Sequence, residues 1–340
     1  MDYYKVLKIL GVKSNIIKYI SKYKNIFYNV IEEYNKYSED IFNNFIENKG
    51  YEFFDNIDNY IREKDIFNKY ESFYKDKYKH KVLYERFKEG IIFTDEELDY
   101  IKSKDILNKF DNNRIFLTGK NIDDLTKISK LFPKSVKIFN CNYNIDLKNL
   151  EGSPEEVEDF NCFNCGLISL KGSPKKVKFF NCGNNRKLTS LKGGPEEVEE
   201  VYNCSFCGLI NLECDFKKVN VFNCSYNEKL KNLIGGPEEV EEYNCSSCGL
   251  ISLEGAPRKV RFFDCSFNDK IYENGSKLKN LIGGPEEVEG EYDCSNCNLE
   301  SLEGLAKRIG VLKCGGNKFD KEYVKKFIKE NNIKIDKFYI

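Results

Sequence analysis

The chain has 340 residues, with 54 Lys+Arg against 55 Asp+Glu and a formal net charge of −1. That balance argues against a general nucleic-acid binder, whose phosphate contacts call for a basic excess. A composition that is 41% hydrophobic excludes a disordered chain, and the single histidine leaves most histidine-based catalysis and metal ligation without material.

No run of about 18 apolar residues occurs, so no membrane span is expected. The opening stretch MDYYKVLKILGVKSNIIKYISK is broken by Lys5, Lys8 and Lys13 and lacks the uncharged core of a signal peptide. A cytoplasmic or host-cell interior location follows as the expectation, in a medium that keeps thiols reduced.

Residues 1–130 show no repeat. Apolar residues recur at helical spacing through YYKVLKIL, NIIKYISKYKNIFYNVIEEY and EDIFNNFIENKGYEFF. Thr94 and Glu97 in TDEELDYI form a capping-box pattern, and 120–130 reads as a last short helix. A helical N-terminal domain and cap is therefore expected over 1–130. Its tyrosines (Tyr3, Tyr4, Tyr19, Tyr23 and Tyr28) fit helix packing, and His80 falls on a lysine-rich, solvated face.

All 14 cysteines lie between Cys141 and Cys314. Nine of them (Cys141, Cys162, Cys182, Cys204, Cys224, Cys245, Cys265, Cys294 and Cys314) are separated by 21, 20, 22, 20, 21, 20, 29 and 20 residues. Self-similarity at such a period marks a solenoid. Aligned on these cysteines, Val157, Phe160, Cys162, Cys165 and Leu167 occupy positions one, four, six, nine and eleven of a coil. Val240, Tyr243, Cys245, Cys248 and Leu250 keep the same frame. So do Ile309, Leu312, Cys314, Asn317 and Phe319. One short parallel strand per coil explains it: positions four and six point inward and the residue between them points to solvent. Gly-x-Pro bends such as Gly152–Pro154 stop any helix from continuing. The 29-residue step implies an insertion around 269–276.

This spacing, LxxLxLxx(N/C)xL, resembles the leucine-rich repeat, in the short class of about 20 residues seen in bacterial effectors and in phage or large-virus proteins. GGPEEVEGEYDCSNCNLESLEG is the segment nearest to that style. The resemblance implies a leucine-rich-repeat solenoid of about nine coils over 131–319, with a parallel concave sheet. The fold class expected is α+β: helical N-terminal domain, solenoid, then a capping helix and tail over 320–340. KEYVKKFIKE (321–330), entered by Asp320, supplies that helix, with Tyr323, Val324 and Phe327 closing the last coil.

The coils alternate. Position nine is Cys in Cys165, Cys207, Cys248 and Cys297 but Asn in Asn144, Asn185, Asn227, Asn268 and Asn317. Acidic bends (SPEEVED, GPEEVEE, GPEEVEE, GPEEVE) likewise alternate with basic ones (SPKKVK, FKKV, PRKVR, AKRI). With coils about 4.8 Å apart, alternation sets opposite charges beside each other and fixes the register of the stack.

Four CxxC motifs (Cys162/Cys165, Cys204/Cys207, Cys245/Cys248, Cys294/Cys297) invite a zinc reading. Successive motifs are two coils apart, about 9–10 Å, too far for one tetrahedral ion. These eight cysteines are instead expected to be a structural ladder of buried thiols, with no metal and no cofactor. Cys214, which replaces the bend glycine in LECDF, reads as a divergent repeat.

No P-loop, GxSxG, HExxH or Cys–His pair occurs, so no catalytic residue is assigned and no enzyme is expected. The leading expectation is an intracellular protein-interaction scaffold that binds a protein partner, not nucleic acid or membrane, through the concave face. Tyr143, Phe206, Tyr226 and Phe267 at position eight, with Phe179, Val221 and Phe262 at position three, are the candidate contact residues. An effector-like or toxin-like protein with its activity in the helical domain is one alternative; a self-associating structural protein is another. The polar column at position five, from Asn140 to Asp293, fits either recognition or a ladder between coils.

Overall fold

The computed structural model describes residues 82, 83, 86, 93–111, 113–269 and 277–340. The helices expected over 1–81, with His80 and the five tyrosines, and the insertion at 270–276 lie outside the described residues. The chain divides into two units, 1–99 and 100–340. At the end of the first, Thr94 N donates to Glu97 Oε2 (2.7 Å) and Glu97 N to Thr94 Oγ1 (3.2 Å), the reciprocal capping box that opens α1 (Asp95–Ser103).

The second unit is a parallel β-solenoid built on one 13-stranded sheet. A short antiparallel pair, β1 (Phe110–Asp111) and β2 (Arg114–Phe116), starts it. Then come parallel strands β3 (Ser135–Asn140), β4 (Glu156–Asn161), β5 (Lys176–Asn181), β6 (Glu197–Asn203), β7 (Lys218–Asn223) and β8 (Glu239–Asn244). The seventh coil splits its strand into β9 (Lys259–Val260) and β10 (Phe262–Asp264). β11 (Glu287–Asp293) and β12 (Arg308–Lys313) complete the nine cysteine coils.

The uneven step between cysteines has a local cause. Coils with Asn at position nine carry one extra residue before their first leucine, as in Asn185–Leu188 against Cys165–Leu167. They therefore advance by 21 residues where the Cys coils advance by 20. β6 and β11 each hold seven residues and shift register, between Val177/Phe179 and between Val288/Glu291. The first of these bulges turns 21 into 22. The second, together with the insertion, makes the 29-residue step.

The core is a stack of like side chains. Phe139, Phe160, Phe180, Tyr202, Phe222, Tyr243, Phe263 and Tyr292 at position four are all buried, with neighbouring ring centroids 5.1–5.8 Å apart. The position-six cysteines and the paired leucines of each coil fill the rest. Burying these columns is the main source of stability, because no coil can cover its apolar face alone.

The stack starts before its first cysteine. Ile115, Leu117, Ile122 and Leu125 are buried in a preceding turn, and Gly119 N donates to Asn142 O as later position-eight amides do to the next coil. The helix expected over 120–130 is instead two 3₁₀ turns, Leu125–Lys127 and Ser129–Leu131. The reason is spacing: Ile122, Leu125, Ile128 and Leu131 are all fully buried at steps of three, the period of a 3₁₀ rather than an α-helix.

At the other end Asp320 accepts from Tyr323 N (2.8 Å) and opens α2 (Lys321–Glu330), whose Val324 is buried. Tyr323 Oη accepts from Leu302 N at 3.3 Å, tying the helix to the eighth coil's second leucine. The residues after α2 form β13 (Lys334–Tyr339), a further parallel strand beside β12.

Candidate functional site: the open face of the sheet

The inward turn explains the two-coil period. Asn185 Nδ2 donates to Cys182 O of its own coil (2.8 Å) and Cys162 O of the preceding coil (3.0 Å). Its Oδ1 accepts from Cys165 N (3.0 Å) and Leu167 N (2.9 Å), again in the preceding coil. Asn144, Asn227, Asn268 and Asn317 bridge in the same way. One asparagine thus satisfies the turns of two coils, and the alternate coil needs only a small residue. The thiols of Cys165, Cys207, Cys248 and Cys297 fill that place and donate to the preceding position-six carbonyls at 3.0, 3.3, 3.2 and 3.0 Å.

The described cysteines are all free thiols, and the position-six thiols are raised above their ordinary range, Cys141 by its hydrogen bond with Cys165 and then burial, the others by burial first, Cys314 to about 11. Such thiols are poor nucleophiles. Among the described residues no group of three or more His, Cys, Asp or Glu side chains is placed to hold a metal ion. A hollow of about 390 Å³ beside the break between β9 and β10 is lined by Val240, Glu241, Lys259, Val260, Arg261 and Glu289, with Lys259 and Glu289 paired at 2.7 Å. That lining holds no Ser, Thr, Cys or His to act as a nucleophile.

The charged bends pair across coils. Lys175 meets Glu196 (2.9 Å), Lys176 meets Glu197 (3.0 Å), Lys217 meets Glu238 (2.5 Å), Lys218 meets Glu239 (3.4 Å) and Arg258 meets Glu286 (2.7 Å). The first three basic bends reach forward to the next acidic one, and Arg308 of the last reaches back to Glu287 (3.4 Å).

Among the described residues the polar column at position five acts within its own coil, except that Asn140 Oδ1 also accepts from Thr118 Oγ1 of the preceding turn at 3.4 Å. The Oδ1 atoms of Asn140, Asn161, Asn181, Asn203, Asn223, Asn244, Asp264 and Asp293 each accept the backbone N–H two residues on in their own coil, at 2.9–3.1 Å. These are Asx turns, which end each strand and start the turn. Burial, then the neighbouring Asp293 and Glu291, raise the Asp264 carboxyl against the lowering effect of its Ser266 bonds.

Position eight is the conformational outlier. Tyr143, Asn164, Asn184, Phe206, Tyr226, Ser247, Phe267 and Asn296 all have φ between 52° and 59°. Their amides donate to the position-seven carbonyl of the next coil at 2.8–3.0 Å, which holds the backbone there. Asn and Gly adopt this left-handed region readily; an aromatic residue in it is strained. Yet Tyr143, Phe206, Tyr226 and Phe267 take it and stay 43–51% exposed. Phe206 and Tyr226 stack at 4.1 Å with an 8° tilt.

At position three Phe179 is exposed, whereas Val221 and Phe262 are half-buried and Arg261 lies 5.0 Å from the Phe262 ring. The seven candidate residues thus fall into two columns, at positions three and eight, with the Asx column between them. Ile138, Val201 and Val311 also occupy position three, half-buried; the bulge in β6 lies before Val201 and displaces only Val198 from its place at position one. A second exposed set was not anticipated: Ile168, Ile210 and Ile251, each after the first leucine of a Cys coil, are 45–55% exposed. The cysteine alignment already places them in one column.

Protein-family models, curated proteins and solved structures contain no match to this chain. Among the described residues no helix is long and apolar enough to cross a membrane.

Proposed function

We propose that this chain is a non-enzymatic protein-interaction scaffold of the leucine-rich-repeat kind, working inside the cell, and that a protein partner docks on the open face of the sheet. One observation carries the reading. Four coils place an exposed aromatic ring on a left-handed residue where Asn164, Asn184 and Asn296 do the same backbone job with less strain. Strain of order 1 kcal/mol per residue, spent on rings that bury little, is expected where the rings have another use. Tyr and Phe in a row are efficient contact anchors. The free thiols fit a reducing interior.

The test is capture by the full chain against a variant carrying Phe206→Asn, Tyr226→Asn and Phe267→Asn. The variant should melt no lower than the parent and lose the partner. A variant that folds and still captures the same partner would place the interface elsewhere, with the Ile168, Ile210 and Ile251 column next to be tested.

A further inference from the structure

The two outward columns are matched coil by coil. Number the coils from Cys141. Positions three and eight are both apolar in coils one (Ile138, Tyr143), four (Val201, Phe206), five (Val221, Tyr226) and seven (Phe262, Phe267). Both are polar in coils two (Asp159, Asn164), six (Glu242, Ser247) and eight (Glu291, Asn296). Only coils three (Phe179, Asn184) and nine (Val311, Gly316) are mixed or incomplete.

Resting on the reading of this face as a protein-binding surface, we propose that the partner is a second copy of the same chain. The two solenoids pack sheet to sheet about a two-fold axis that runs along the solenoid. That operation sets each coil opposite its own equivalent with the strands antiparallel, so position three of one copy meets position eight of the other. Each apolar residue of the seven matched coils then faces an apolar one, and each acidic residue at position three faces Asn or Ser. A two-fold axis along the strands does worse. It would lay coil two on coil eight, so that Asp159 meets Glu291, and coil four on coil six, so that Val201 meets Glu242.

The face is large enough. Nine coils at about 4.8 Å and strands of six residues give a footprint of roughly 800 Å² per copy, the standard size for a stable pair. The Asn column of the first six coils lies beside the axis, where carboxamides are self-complementary donors and acceptors. Asp264 and Asp293 oppose their own equivalents at that axis, which weakens the pair at one end. Their replacement by Asn should tighten it.

Sedimentation of the full chain over a wide concentration range reads the proposal. A species of twice the 39.7 kDa chain mass is expected. Tyr226→Glu should raise its dissociation constant about a hundredfold or more, with the far-UV circular dichroism of the folded chain unchanged. Adding Val221→Lys to that variant should restore most of the affinity, because position three meets position eight of the same coil across the axis. Asp264→Asn with Asp293→Asn should lower the constant. A chain that is monomeric throughout overturns the second copy as occupant and leaves capture of another protein as the test of the face. A dimer indifferent to Tyr226→Glu overturns this face as its interface. Dissociation by Tyr226→Glu without rescue by Val221→Lys overturns the parallel two-fold pairing.

Discussion

The Tyr243 hydroxyl occupies the space that a side chain on Gly236 would need: a Cβ built on Gly236 falls 2.9 Å from it. Gly194 stands in the same relation to Tyr202 at 3.3 Å and Gly284 to Tyr292 at 3.0 Å. Coils whose position-four ring is Phe160, Phe180 or Phe263 carry Ser153, Ser173 or Ala256 at the corresponding place in the bend. Gly-Gly-Pro and tyrosine are therefore one steric unit: the ring's oxygen fills what the bend leaves out.

Gly236→Ala should consequently destabilise by about 1–2 kcal/mol through overpacking, although its backbone is not in the left-handed region. Tyr243→Phe should relieve part of that loss, the rest staying with Leu212 Cδ1 at 2.8 Å and Leu233 O at 3.0 Å. The Tyr243 hydroxyl is buried without a hydrogen-bond partner among the described residues, so the single Phe variant gives up little. A double-mutant cycle by urea denaturation checks this; additive losses would disprove the coupling.

The thiol column predicts steep alkaline sensitivity. Ten cysteines, from Cys141 to Cys314, have raised thiols, Cys141 through its hydrogen bond with Cys165 and then burial, the other nine through burial first, and Tyr202, Tyr243 and Tyr292 have phenols raised by burial. In the unfolded chain each thiol ionises in its ordinary range, while the folded one stays protonated. The stability from neutral burial is thus complete below that range and is lost as pH rises through it toward the folded value. Each thiol removes about 1.4 kcal/mol per pH unit. Denaturation midpoints should be level to about pH 8 and fall sharply above pH 9. Midpoints that hold at high pH would show the thiols to be accessible.

Serine should be tolerated differently at the two thiol positions. Cys248 Sγ already donates to Cys224 O at 3.2 Å, a bond that a hydroxyl can keep. For Cys245, buried between its neighbours in the column, no such bond is present among the described residues. Cys245→Ser should lose about 1–3 kcal/mol and Cys248→Ser clearly less, compared by thermal melts of the two variants.

Charge reversal tests the bends. Lys175→Glu with Lys176→Glu removes contacts to Glu196, Glu197 and Glu199 and sets three acidic bends in a row. All these groups are well exposed, so the loss should be modest, and should shrink at high salt, where the Debye length falls to about 3 Å at 1 M. The same loss at low and high salt would mean that the pairs do not set the register.

Most of the solenoid was legible because its constraint is local and repeated. A small residue must follow the buried ring at position six, and nine of the 14 cysteines do so at a near-constant step. The preceding turn escaped notice because Leu117 stands where the cysteine would be, and β13 because Ile335 and Phe338 follow a helix rather than a Gly-x-Pro bend. The asparagine column at position five is sequence-identical whether it bridges coils or caps its own turn; only the Oδ1 geometry decides. The aromatic columns could be listed from the alignment, but their strain could not, since position eight accepts Asn, Ser, Tyr and Phe alike and reveals its cost only as a positive φ.

That cost separates two rings of the face. Phe267, with φ of 56°, is 51% exposed and has no ring stacked on it among the described residues. Phe267→Asn should therefore stabilise, by about 0.5–1 kcal/mol, as a residue at ease in the left-handed region replaces one that is not. Tyr226, at φ 59°, gains as much in strain relief but loses its stack on Phe206 at 4.1 Å. A stacked aromatic pair contributes about 0.5–1.5 kcal/mol, so Tyr226→Asn should come out near neutral. Thermal melts of the two single variants measure the difference directly. If Phe267→Asn lowers the melting point by as much as a buried aromatic would, the ring is part of the fold and not a contact held ready for a partner.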